Sequence, residues 1–110
     1  PPTIPRSIKD YCSSLPRWER DLLYDAHHLT SAADLSMESA IILASDGSHC
    51  HNAMTFGAAL STTSHQLVTL QGHGYGTPSA HRAEAWAVLA ISRLLYHLQI
   101  FYNLCFHPLV

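Results

Sequence analysis

Two carboxylates set far apart in the chain are the residues best placed to do chemistry. Asp46 follows the apolar run Ala40-Ile41-Ile42-Leu43-Ala44-Ser45 and is succeeded at once by Gly47-Ser48. Glu84 lies in His81-Arg82-Ala83-Glu84-Ala85, at the opening of a long apolar segment. A carboxylate at a buried strand end, with a second on a helix packed over that strand, suits a hard divalent cation, which takes oxygen ligands of negative charge. Each acid also has a plainer reading. Asp and Gly are ordinary turn formers, so Asp46-Gly47-Ser48 equally closes a strand. An acid in a first helical turn is favoured by the positive end of the helix dipole.

Histidine is the other reservoir of chemistry. His49-Cys50-His51 cluster in one segment, with His73 and His81 further on. Adjacent ligands on a short turn rarely converge on one ion, and the chain has no Cys-x-x-Cys pair, so zinc is disfavoured. These histidines read as solvated loop residues; the alternative is that His73 and His81, which flank the loop leading to Glu84, touch a substrate phosphate. Cys12, Cys50 and Cys105 are widely spaced and odd in number. That pattern is poor material for a disulfide framework and points to a reducing, intracellular compartment.

The elements that must position these groups follow from periodicity. Residues 1–16 hold four of the six prolines and read as an irregular lead-in. Trp18, Leu22, Leu23 and Ala26 recur at helical spacing and predict a short amphipathic helix from Arg17 to about Leu29. Ser31 to Ser39 is a small-residue linker. The run at 40–45 is apolar on both faces, as in a central strand covered from both sides. After a polar turn at 49–53, Phe56, Ala58, Leu60 and Thr62 alternate with Thr55, Gly57, Ala59 and Ser61, giving one bulky and one small face. The small face, Gly57 and Ala59, would let a helix approach closely. Thr63 to Gln66 turns the chain into a third strand at 67–71, and connections this short predict an antiparallel meander. A glycine-rich loop at 72–76 leads to Thr77-Pro78, which reads as cap and first helical position. The helix then runs to about Phe101, with Val88, Ile91, Leu95, Leu98 and Glu84 on its inward stripe and Pro108 beyond its end. Trp18 and Trp86 read as core or interface anchors.

Composition narrows the function. The chain has 110 residues, 47% hydrophobic and 13% charged, with a formal net charge of −2. It is long enough for one modest core and offers no general attraction to a phosphate backbone. The greasy segment from Ala85 to Val110 is interrupted by Arg93, His97, Gln99 and Asn103, so no membrane span is expected.

Ile42-Leu43-Ala44-Ser45-Asp46-Gly47-Ser48, then Thr55 to Ser61, Gly72-His73-Gly74 and Ser79-Ala80-His81-Arg82-Ala83-Glu84-Ala85 resemble the ribonuclease H-like fold. The likeness is greatest to the ribonuclease H domains attached to retroelement reverse transcriptases, and it covers about residues 40–101. It implies an α+β unit: a three-stranded antiparallel meander packed by one long helix, with a helical N-terminal extension. Residues 1–39 would form the connector and 40–110 a partial ribonuclease H-like domain. The resemblance further implies hydrolysis of the RNA strand of an RNA–DNA hybrid with two Mg²⁺ (or Mn²⁺) ions, Asp46 and Glu84 being catalytic metal ligands. Ser48, His81 and Arg82 would touch nucleic acid, and a reverse transcriptase domain would stand upstream. The family pattern asks for a third acid on a fourth strand and another further on, whereas residues 85–110 contain no acid. The alternative is therefore a catalytically inactive remnant that only binds. Without that fourth strand, Ile100, Phe101, Leu104, Phe106 and Leu109 are expected to be poorly buried.

Overall fold

A computed structural model of the chain describes residues 5, 7–28, 41–62 and 66–106. Two short helices, α1 (Ile8–Cys12) and α2 (Arg17–Leu22), and a 3₁₀ helix (Tyr24–His28) precede the strands β1 (Ile41–Cys50), β2 (Ala53–Thr62) and β3 (Gln66–His73). The helix α3 (Ala80–Phe106) follows. The strands form an antiparallel sheet in the order β1-β2-β3, and α3 packs across it. The chain is thus α+β, with the meander and long helix expected from the sequence. The linker 31–39, the turn at 63–65 and Pro108 lie outside the described residues.

Alternation settles which face is inward. On β2, Met54, Phe56, Ala58, Leu60 and Thr62 are buried, and Val68 and Leu70 match them on β3. With the buried face of α3 (Ala87, Ala90, Ile91, Leu94, Leu98, Phe101) and with Ile8, Tyr11, Leu22, Leu23 and Ala26, they make one hydrophobic core. The N-terminal helices therefore share the core of the sheet. The helix α1 replaces the irregular lead-in expected there, and Ser7 and Asp10 carry its signature: the Ser7 hydroxyl accepts the Asp10 backbone N–H at 3.1 Å. The predicted helix beyond Arg17 breaks after Leu22 into the 3₁₀ turn.

Several expectations are corrected. The strand β1 does not stop at Asp46 but runs to Cys50, leaving only His51 and Asn52 as the turn. It is also an edge strand among the described residues, with Ile42 50% and Leu43 43% exposed. The small face of β2 points away from α3, because Phe56, Ala58 and Leu60 take the inward positions. Helix α3 starts at Ala80, where the Ser79 hydroxyl, not Thr77, accepts the Arg82 N–H at 3.0 Å. Phe101 is buried, not loosely packed, because α1 covers that end of α3 and Tyr11 meets it edge-on at 6.0 Å. Ile100 is half-buried; the side chains of Leu104 and Phe106, and Leu109 altogether, lie outside the description.

The turn carries a testable strain. His51 has φ +56°, a left-handed conformation that costs an ordinary L-residue about 1–2 kcal/mol. His51→Val, β-branched, is expected to lower the unfolding free energy by about that amount, and His51→Asn to leave it nearly unchanged. Urea titration of both variants measures the difference.

Candidate functional site

The site begins with how closely α3 can approach β1. The stripe of α3 that meets the sheet is lined by Ala83, Ala87 and Ala90, all fully buried. It overlaps the expected one in part: Ile91 and Leu98 are buried, whereas Val88 is 52% exposed, Leu95 half-buried and Glu84 exposed at the flank. Small side chains on the helix meet a residue with none on the strand. A Cβ built on Gly47 would stand 2.3 Å from the Ala83 carbonyl carbon and 2.4 Å from the Glu84 nitrogen. Backbone thus lies on backbone where β1 and the first turn of α3 cross.

That contact brings the two predicted acids to the same place. The Gly47 N–H donates to Glu84 Oε1 at 3.2 Å. Covalent geometry then holds this oxygen within about 5.6 Å of the Asp46 Cα, since Cα and the next nitrogen are about 2.4 Å apart. In an antiparallel ladder alternate residues turn their N–H toward the neighbouring strand or away from it. Gly47 spends its N–H on Glu84, so it faces the open edge of β1, and Glu84 reaches that edge from the helix side. Asp46 is paired with Gly57 across β1–β2, and Gly57 with Gln71 across β2–β3. Its side chain belongs to the small face, opposite α3. The two acids flank one peptide from opposite faces of the strand.

On the small face, Asp46 opens into a cleft of about 590 Å³ lined also by Ser48, Thr55, Phe56, Gly57, Gln71, Gly72 and His73. Register explains the grouping, since Ser48, Thr55 and His73 form one cross-strand row beside the row of Asp46, Gly57 and Gln71. Of the sequence candidates, Ser48 shares the cleft with Asp46. His81 precedes Glu84 by three residues on the same side of α3 and is exposed. Arg82 is set apart, its guanidinium packed over Gly76, where a Cβ would come within 2.6 Å of it. Thr55 and Gln71 join the site only through strand register, which no local pattern reveals.

Among the described residues no group of three or more His, Cys, Asp or Glu side chains is gathered to hold a metal ion. Asp46 and the Ser48 hydroxyl offer oxygen donors at an open cleft that Glu84 does not line, Glu84 lying across the strand on the helix side. Oxygen donors of this kind suit a hard cation such as Mg²⁺ or Mn²⁺ that retains several waters, and they are too few for two ions.

A second polar cluster lies inside the molecule. Glu19 on α2 and His97 on α3 are 5% and 6% exposed. The Glu19 carboxylate takes the His97 Nε2 contact and the Arg93 Nε–H at 3.0 Å, while His97 Nδ1 lies 2.7 Å from the Tyr11 hydroxyl. A carboxylate only accepts, so Nε2 carries the hydrogen; in the neutral ring Nδ1 then accepts from Tyr11. Burial pushes the Glu19 carboxyl up, but hydrogen bonds from His97 and Arg93, with their charges, outweigh it and hold it below its ordinary range. Arg93 also lies 4.6 Å over the Tyr96 ring and 5.9 Å from that of the half-exposed Trp18. Burial raises the Cys12 thiol beside this cluster, and Glu19 raises it further, so Cys12 is no activated nucleophile.

No helix among the described residues is long and apolar enough to cross a membrane. Comparison with protein-family models, with curated proteins and with solved structures gives no match.

Proposed function

We propose that the chain is a ribonuclease H-like unit of retroelement type that takes an RNA–DNA hybrid along the Asp46 cleft and hydrolyses the RNA strand with a divalent ion. The observation that carries this reading is the Gly47 N–H to Glu84 Oε1 bond, which brings a helix carboxylate to the Asp46–Gly47 peptide. One oxygen of Glu84 is held by that bond and the other is left for an ion at the open edge of β1, which the Asp46 side chain would reach around that edge from the cleft side. The bound cation would supply charge neutralisation and Lewis acidity at a phosphate. Ser48 and His73 offer donors to phosphate oxygens, and the residues Ala44, Gly57 and Ala59 leave room for a nucleic-acid backbone on the sheet. The setting that goes with this reading is intracellular, beside a reverse transcriptase domain.

The two-carboxylate count favours a second reading, a remnant that binds without cleaving. Only six Lys and Arg are present in the chain, so hybrid binding is expected to be weak, with a shallow salt dependence set by few phosphate contacts. A labelled hybrid with Mg²⁺ or Mn²⁺ at low salt separates the readings. The nuclease reading expects slow cleavage of the RNA strand, lost on chelation and in Asp46→Asn, with hybrid binding retained. Binding without cleavage at any metal concentration supports the remnant, and no binding of hybrid overturns both.

A further inference from the structure

Around the end of β3, the Asp46 cleft on the small face neighbours a smaller and more enclosed cavity on the helix face. This second cavity, about 230 Å³, is lined by Asp21, Leu22, Phe56, Gly72, His73, Tyr75 and Trp86, so Phe56, Gly72 and His73 border both. Its walls are aromatic by arrangement. Trp86 stacks at 14° to Phe56 with centroids 6.5 Å apart, and meets Tyr75 edge-on at 5.6 Å. The Trp86 indole N–H donates to the Tyr75 carbonyl at 3.1 Å, which fixes the loop. Missing side chains make this packing fit: a Cβ on Gly72 would come within 2.7 Å of the Phe56 ring, and one on Gly74 within 2.6 Å of Trp86 Cδ1. Tyr75 is 70% exposed, so much of its ring is open to solvent. Asp21 is the one carboxylate of the lining, and its only ion pair described is a loose, exposed one to Arg17 at 3.9 Å.

We infer that this cavity is a nucleobase pocket that favours guanine over uracil, reached from the phosphate cleft around the end of β3 at His73. Aromatic faces bind any base by stacking, whereas a carboxylate selects. Guanine presents two adjacent donors, N1–H and the 2-amino group, to the two oxygens of Asp21, and uracil presents a single N–H between two carbonyls. An unpaired base would stack on Tyr75 while its phosphate lies beside His73. The inference deepens the proposed function, and rests on it for placing a polymer in the cleft; the pocket itself needs neither metal nor cleavage.

The test is titration of the chain with GMP and with UMP, free of divalent metal. In a Trp18→Phe background Trp86 is the only fluorophore of its kind, and saturation-transfer NMR on the unaltered chain reads the same binding. Saturable quenching of Trp86 is expected, with GMP binding about tenfold tighter than UMP. Tyr75→Ala is expected to weaken both nucleotides about tenfold, and Asp21→Asn to bring GMP down to the affinity of UMP. Absence of saturable binding by either method, or binding unchanged in Tyr75→Ala, overturns the pocket; a GMP preference that survives Asp21→Asn overturns the assigned selectivity. Nucleotide binding with no action on hybrid would leave the pocket standing and remove the nuclease reading. Hybrid cleavage with no nucleotide binding would do the reverse.

Discussion

Gly47→Ala is expected to cost about 3 kcal/mol or more of stability and to lower the melting temperature by about 10–20 °C, the shift such a loss produces in a domain near this size. The added methyl would stand 2.3–2.5 Å from the Ala83 carbon and oxygen and the Glu84 nitrogen. These are backbone atoms of a helix, which cannot swing aside as a side chain can. Overpacking a tight contact costs about 1–3 kcal/mol when side chains absorb it; here α3 must lift from β1, and the alanines of its inner stripe lose contact with the sheet. The Gly47 N–H to Glu84 bond is lost with the same movement, so Glu84 leaves the edge of β1. Gly57→Ala supplies the comparison. It replaces the glycine paired with Asp46 on β2, where a Cβ meets only the Leu70 carbonyl at 3.9 Å. There alanine is expected to stabilise by about 0.5–1 kcal/mol, through the smaller entropy lost on folding. Urea unfolding of the two variants checks the contrast. Equal stability in both would show that α3 does not rest on Gly47.

The contrast also marks how far the sequence could be read. Period-2 alternation in β2 identifies its bulky face without ambiguity, and the short connections leave an antiparallel meander as the natural outcome. What alternation cannot say is which side the helix takes. Reading the small residues of β2 as the helix contact is reasonable in isolation, but the large face must be buried somewhere, and the helix is what buries it. The stripe of α3 misleads for a related reason. Counting large apolar residues selects Val88 and Leu95, whereas a helix lying backbone-close to a strand turns its alanines inward and leaves larger groups at its flank. The apolar run at 40–45 similarly suggests a central strand, yet β1 forms an edge among the described residues. Asp46 and Glu84 stand out by residue type alone, and the Gly47 N–H to Glu84 bond sets them beside one peptide. Thr55 and Gln71 do not stand out, since they join Asp46 only through a register fixed by a turn at His51, a residue with no strong turn signal.

The cluster of Glu19, Arg93, His97 and Tyr11 had no sequence signal at all, its members being separated by as many as 86 residues. It carries a large expected effect. Glu19→Ala removes the acceptor from a buried His97 and a partly buried Arg93, and is expected to cost about 2–4 kcal/mol. Loss of one partner of a fully buried pair costs about 3–5 kcal/mol, and the 31% exposure of the Arg93 side chain lowers the figure. The pH dependence follows from the direction of the Glu19 shift. A carboxyl held below its ordinary value binds a proton more readily when unfolded than when folded. Its contribution is therefore complete above the unfolded value, about 4.3, and is lost as pH falls through the lower folded one. Because Glu19 and Tyr11 lie on α2 and α1 while Arg93 and His97 lie on α3, the acid-labile contact is the seat of the N-terminal helices. Glu19→Gln keeps the shape and an acceptor oxygen but has no proton to gain, so its stability is expected to be lower at neutral pH and flatter between pH about 5 and 3. Denaturant titrations at a series of pH values measure both slopes. Parallel curves for the two proteins across that window would show that Glu19 does not hold the N-terminal helices through its charge.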